Sequence, residues 1–210
     1  KRNQMQLDIY LPAGYEGDLL VKVSSGDLTV SSKLDLKENV FEAYHMSGDI
    51  EVENEIRAGK VTFNVQSGDI DVLKEVYAQE ISMNSKSGDI TLDKVVAESY
   101  NVKVSSGNIS VMSLKGKGEV VAQSGNVDLN IEDITGDVYC ETMSGDIDLG
   151  INPNMNCNLY AHCVSGDIDS DIPAQYPGKD KNKAIAKIGT PSTYKVDAKA
   201  MSGDIHLAYH

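Results

Sequence analysis

Nine copies of Ser-Gly-Asp or Ser-Gly-Asn punctuate this chain of 210 residues, beginning at Ser25, Ser47, Ser67, Ser87, Ser106, Ser124, Ser144, Ser165 and Ser202. The first eight follow one another at 18 to 22 residues, and the ninth comes 37 residues after the eighth. A period this short restricts the fold sharply, because one unit cannot bury its own apolar face and must stack on its neighbours.

With each serine as origin, apolar residues fall on alternate positions before it, as in Val61, Phe63 and Val65 or Tyr100, Val102 and Val104. Alternation resumes after it at Ile70 and Val72, Ile90 and Leu92, Ile109 and Val111, and Ile147 and Leu149. Period two is the mark of a strand with one buried face. Between two such strands stands the Gly-Asp step. Glycine supplies a positive φ at low steric cost and Asp or Asn bonds neighbouring backbone, so Gly26, Gly48, Gly68, Gly88, Gly107, Gly125, Gly145, Gly166 and Gly203 are expected at tight corners. Gly-Asp also suits a two-residue hairpin loop, which makes a meander of hairpins the rival geometry. Near-identical units favour parallel coils instead, which set Ser over Ser and Ile over Ile. A further apolar residue, Ile56, Val76, Val96 or Leu114, recurs eight or nine positions past the serine and marks a third, shorter wall. The expected fold is all-β, a single-domain β-solenoid over residues 1–210, right-handed by the crossover rule, with about nine rungs of ~20 residues.

Composition narrows the function classes. A balance of 19 basic and 32 acidic residues gives a net charge of −13, which repels phosphate backbones, so nucleic acid is not an expected partner. The chain has no apolar run of the ~18 residues a transmembrane segment needs. Its start, Lys1 to Gln6, lacks the apolar core of a signal peptide, so any export signal is expected outside this sequence. In sequence-order stacking Cys163 lies over Thr142 and Cys140 under Ala161, a diagonal of roughly 8 Å that exceeds disulfide reach, so buried free thiols are expected. The long interval before Ser202, with its insertion at about 173–191, reads either as a working loop or as a polar cap on the end of the rod.

Three constellations can carry chemistry. Asp146 and Asp148 repeat as Asp167 and Asp169, and on adjacent rungs these four acids would stand about 5 Å apart, the oxygen cluster that calcium takes. The competing role is structural, since a corner acid already has work to do and Asn replaces it at Asn108 and Asn126. Tyr139 and Tyr160 both lie five residues before their serine and would form an aromatic ledge for a sugar, or a cross-strand pair that serves the sheet alone. Lys179, Lys181 and Lys183 would give the insertion a basic binding surface. For catalysis there is no nucleophile elbow, no phosphate loop and no zinc-spaced histidine pair.

Repeated Ser-Gly-Asp-Ile followed by alternating Val, Leu or Ile, with the opening Leu7-Asp8-Ile9-Tyr10-Leu11-Pro12, resembles the bacterial putative-adhesin family from about Leu7 to Leu207. The resemblance implies a β-helix-like domain, extracytoplasmic or membrane-associated placement, and a non-catalytic adhesive or envelope role. It transfers no functional residues, because the shared motif is the turn itself. The resulting expectation is an extracytoplasmic binding or adhesion scaffold of the bacterial envelope, without a cofactor, whose ligand is a surface glycan or a protein. Its rivals are a polysaccharide-active β-helix enzyme and a purely structural envelope spacer. A groove of converging acids and lysines favours the first, and a flat, uniformly acidic surface favours the second.

Overall fold

A computed structural model describes residues 7–177, 181–190 and 192–210. Its strands are β1 (Leu19–Val23), β2 (Leu28–Val30), β3 (Leu34–Asp35), β4 (Val40–His45), β5 (Ile50–Val52), β6 (Ile56–Val65), β7 (Ile70–Ser87), β8 (Ile90–Ser106), β9 (Ile109–Ser124), β10 (Val127–Ser144), β11 (Ile147–Ile151), β12 (Cys157–Ser165), β13 (Ile168–Ser170), β14 (Lys183–Ile188), β15 (Lys195–Ser202) and β16 (Ile205–Tyr209). The repeats coil into a β-solenoid. Residues before each serine build a first wall, those after it a second, and β3 with the start of β6 and the middles of β7 to β10 a third. About seven turns are complete rather than the nine expected, because the two rungs nearest the C-terminus lack the third wall.

The corner explains the tripeptide. Gly68 donates its N–H to the Ser87 carbonyl at 2.9 Å and Ile70 donates to the Asp89 carbonyl at 2.9 Å, so the parallel ladder continues on both sides of the bend. Gly68 itself has φ 143°, a conformation that an L side chain rarely adopts. Between these two bonds the Asp89 N–H finds no carbonyl and donates instead to Asp69 Oδ1 at 2.7 Å. The same side-chain bond recurs along the whole stack, from Asp49 N–H to Asp27 through to Asp167 N–H to Asp204, and Asn108 and Asn126 serve equally as acceptors. An Asx side chain is therefore a structural acceptor at every corner that carries a further rung, independent of its charge.

All strand pairings in the ladder are parallel except that of β12 with β14. Their spatial order departs from sequence order at one place. β15 pairs with β10 on one side and β12 on the other, and β16 lies between β11 and β13. The corner bonds agree: Gly145 donates to Ser202 O, and Gly203 donates to Ser165 O, both at 3.0 Å. The rung of Ser202 thus sits between those of Ser144 and Ser165. Residues in the long interval do not all leave the solenoid, because β14 lies antiparallel on the outer edge of β12 and buries Ala184, Ala186 and Ile188. With that edge taken, the chain passes the start of β12 and enters on its other side.

Inside, the inward columns form one apolar core. Ile50, Ile70, Ile90, Ile109, Val127, Ile147 and Ile205 are buried in register, and Phe41 meets Phe63 edge to face at 5.2 Å. In the third wall Val95, not Val96, takes the inward position beside Val76 and Leu114, because a register shift after Val72 absorbs one residue. Cys140, Cys157 and Cys163 are buried free thiols. Cys163 faces Ala200 rather than Thr142, which puts the Ser202 rung between it and the rung of Cys140.

Candidate binding groove

A groove of 650 Å³ runs along the outer face of the first wall, across the rungs of Ser25 to Ser124. One bank is the column three residues before each serine: Lys22, Tyr44, Asn64, Asn84, Lys103 and Val121. The other is the column one residue before it: Ser24, Met46, Gln66, Lys86, Ser105 and Gln123. These positions point outward because strand parity sends the intervening Val65 and Val104 into the core. None of the twelve is acidic, in a chain with a net charge of −13. Acids gather elsewhere, in the corner column and in the second-wall column of Glu51, Asp71, Asp128 and Asp148. Burial and neighbouring acids hold the carboxyls of Asp71 and Asp128 above the usual range, as expected where like charges stack.

The groove side chains are partly ordered by one another. Asn84 donates to Asn64 Oδ1 and to Ser82 Oγ, both at 3.1 Å. Lys22 lies over the Tyr44 ring at 5.7 Å, and Lys103 pairs with Glu119 at 2.6 Å on the outer side of the bank. Beyond the Ser124 rung the second bank turns apolar, with Met143, Met201 and Val164 exposed on successive levels.

The constellations read from sequence are placed differently. Asp148 and Asp169 are separated by His206, whose Nδ1 is 3.5 Å from Asp148 and whose Nε2 is 3.6 Å from Asp171. Asp146 and Asp167 are likewise separated by Asp204, and each of the two bonds that link them runs from a backbone N–H to a carboxylate at 2.8 Å. No group of three or more acids, histidines or cysteines arranged to hold a metal occurs among the described residues. Tyr139 and Tyr160 do not touch, because Asp197 lies between them, and Lys195 sits over the Tyr139 ring at 4.8 Å. Lys181 and Lys183 are exposed at the edge formed by β14, while Lys179 lies outside the described residues. The nine corner glycines all have positive φ, between 119° and 143°.

Four described residues bury a side-chain polar atom without a hydrogen-bond partner: His45, Thr62, Tyr100 and Asn101. His45 is 2% exposed and neither ring nitrogen is hydrogen-bonded. Burial pushes its pKa down, opposed by the Gly26 carbonyl and by Asp27 and Asp49. The Tyr100 hydroxyl is also buried without a partner, and desolvation drives its pKa well up. His45 lies at the floor of the groove between Tyr44 and Met46, while Tyr100 is enclosed in the core. The groove itself escaped the sequence reading, although its signal was present: two outward columns without an acid over the first six repeats, visible only when the repeats are aligned on their serines.

No helix among the described residues is long and apolar enough to cross a membrane. Comparison with curated proteins gives no match. A solved structure described as a putative cell adhesion protein from Clostridium sporogenes is similar over 97% of this chain and 97% of its own, at 12% identity and a TM-score of 0.36. The family of Toastrack domains, DUF4097, matches residues 1–208, and the chain belongs to that family.

Proposed function

We propose that this chain is a non-enzymatic binding scaffold of the extracytoplasmic bacterial envelope, and that its ligand lies extended along the first-wall groove. The observation that carries this reading is the segregation of side chains. An acid-free, amide-bearing trough spans six rungs, over which the acids lie in other columns; the first acid in either bank column is Glu141, on the next rung. A spacer needs no such face. A polysaccharide-cleaving enzyme needs acids converging on the substrate with a proton to give, and the banks hold none. Envelope placement and the adhesive role are supported by the resemblance of the repeat and its opening strand to bacterial adhesins. Rigid stacking also suits adhesion, because a ligand that bridges several rungs meets groups already fixed in place.

The test is a glycan and extracellular-matrix protein array probed with the intact chain. Binding to a defined set of ligands, lost with Tyr44→Ala and Asn84→Ala, is the expected result. A blank array under the same conditions would return the chain to the role of spacer, and release of shortened oligosaccharides would make it an enzyme.

A further inference from the structure

We propose that the groove takes a linear polysaccharide bearing carboxylate groups, a polyuronate-type chain laid along the solenoid axis. The inference rests on the binding-scaffold reading and names its ligand class. Three observations carry it.

The floor of the groove is the backbone of the first wall, whose N–H and C=O groups are spent on the parallel ladder above and below. An extended peptide could add no main-chain bonds there, so strand addition belongs to sheet edges and not to this face. Recognition must come from side chains. Asn64, Asn84, Gln66 and Gln123 each offer donors and an acceptor, the equipment for hydroxyl groups. Tyr44, 37% exposed, adds a ring.

Charge decides the sign of the ligand. Of the three groove lysines, Lys103 is paired with Glu119, while Lys22 and Lys86 have no carboxylate within ion-pair distance among the described residues, as is also true of Lys74 and Lys117 outside the groove. Two unpaired ammonium groups in an acid-free trough call for anions supplied from outside. Two acids of the neighbouring outward column reach the bank, Glu119 at Lys103 and Glu42 at the Tyr44 hydroxyl, and the anion is therefore expected at Lys22 and Lys86.

Periodicity decides its form. Equivalent bank positions recur at the strand spacing of about 4.8 Å, so the trough presents evenly spaced, mostly polar side chains over roughly 24 Å. A polymer with a short repeat fits such a row. Among polyanions a single-stranded nucleic acid is disfavoured, because it asks for several stacking platforms and for arginine, and the banks hold one tyrosine and no arginine.

Titration calorimetry of the intact chain with oligogalacturonate, dextran and oligodeoxythymidylate tests the proposal. Oligogalacturonate should bind at low salt and weaken as salt is raised, and dextran should not bind. The double variant Lys22→Gln, Lys86→Gln should lose roughly tenfold in affinity, while Lys74→Gln, an exposed lysine away from the groove, should bind as the parent does. Both lysines are exposed, so the variants test binding and not folding. The proposal falls if oligogalacturonate fails to bind, if the double variant binds like the parent, if dextran binds equally well, or if oligodeoxythymidylate is preferred. A different ligand returned by the array would leave the scaffold reading standing while this one falls; a blank array removes both.

Discussion

Gly26 and Gly88 share a conformation and differ in what lies beneath them, so alanine at each separates two costs that repeat proteins usually confound. Gly26 has φ 119° and Gly88 φ 139°, and in either an added Cβ strains the backbone by roughly 1–2 kcal/mol. At Gly26, in the first rung, the added carbon meets nothing within 4 Å. At Gly88 it would stand 2.1 Å from the Gly68 carbonyl oxygen and 2.5 Å from its carbon. Neither atom can rotate away, so the two rungs must part, at the expense of the Gly68 to Ser87 and Asp89 to Asp69 hydrogen bonds. Each bond is worth about 1 kcal/mol net. Gly26→Ala should therefore cost about 1–2 kcal/mol and Gly88→Ala about 3–4 kcal/mol, read as urea midpoints at constant slope. Equal losses at the two sites would refute the claim that close stacking, and not φ alone, fixes glycine at the corner.

Three further outcomes follow from the same structure. Ile90→Asp puts a carboxylate in the core and should abolish folding or cost several kcal/mol, while Thr91→Asp on the outward parity should be nearly silent by circular dichroism; equal tolerance would contradict the parity. Burial raises the thiol of Cys140 to about 12 and that of Cys157 to about 11. Unfolded thiols ionise near 8.5, so the stabilisation is complete below that pH and is lost as pH rises toward the folded values. Urea midpoints should fall between pH 8 and 10, less steeply in Cys140→Ala, and identical slopes would sink the assignment. Replacing residues 173–190 with a short Gly-Ser linker strips β14 from the edge of β12, and should lower the melting temperature and promote association through the bared strand; an unchanged, monomeric melt would show that β14 is no cap.

Period, corner and inward parity were all legible because each is written locally. Glycine, an Asx acceptor and alternating apolar residues meet their requirements within one repeat and its neighbour. The order of the rungs is not local. Each interior corner offers one rung a serine carbonyl and the other an Asx oxygen, so Asp204 fits on Asp146 as well as Asp167 would. What decides the order is β14, whose alternation of Ala184, Ala186 and Ile188 is interrupted by Lys183 and Lys187 and reads as a lysine-bearing loop. Those lysines are exposed along a sheet edge, where charge deters further strand pairing. One displaced rung then alters every cross-rung pair that spans it, and only those. Asp148 with Asp169, Tyr139 with Tyr160, and Thr142 with Cys163 all span the Ser202 rung, so none meets its sequence-order partner. The groove lies on the other side of that exchange, in rungs that keep their sequence order. Its twelve positions could therefore have been aligned from the repeat alone, had charge been followed along the columns instead of aromatic and acidic residues being paired across two of them.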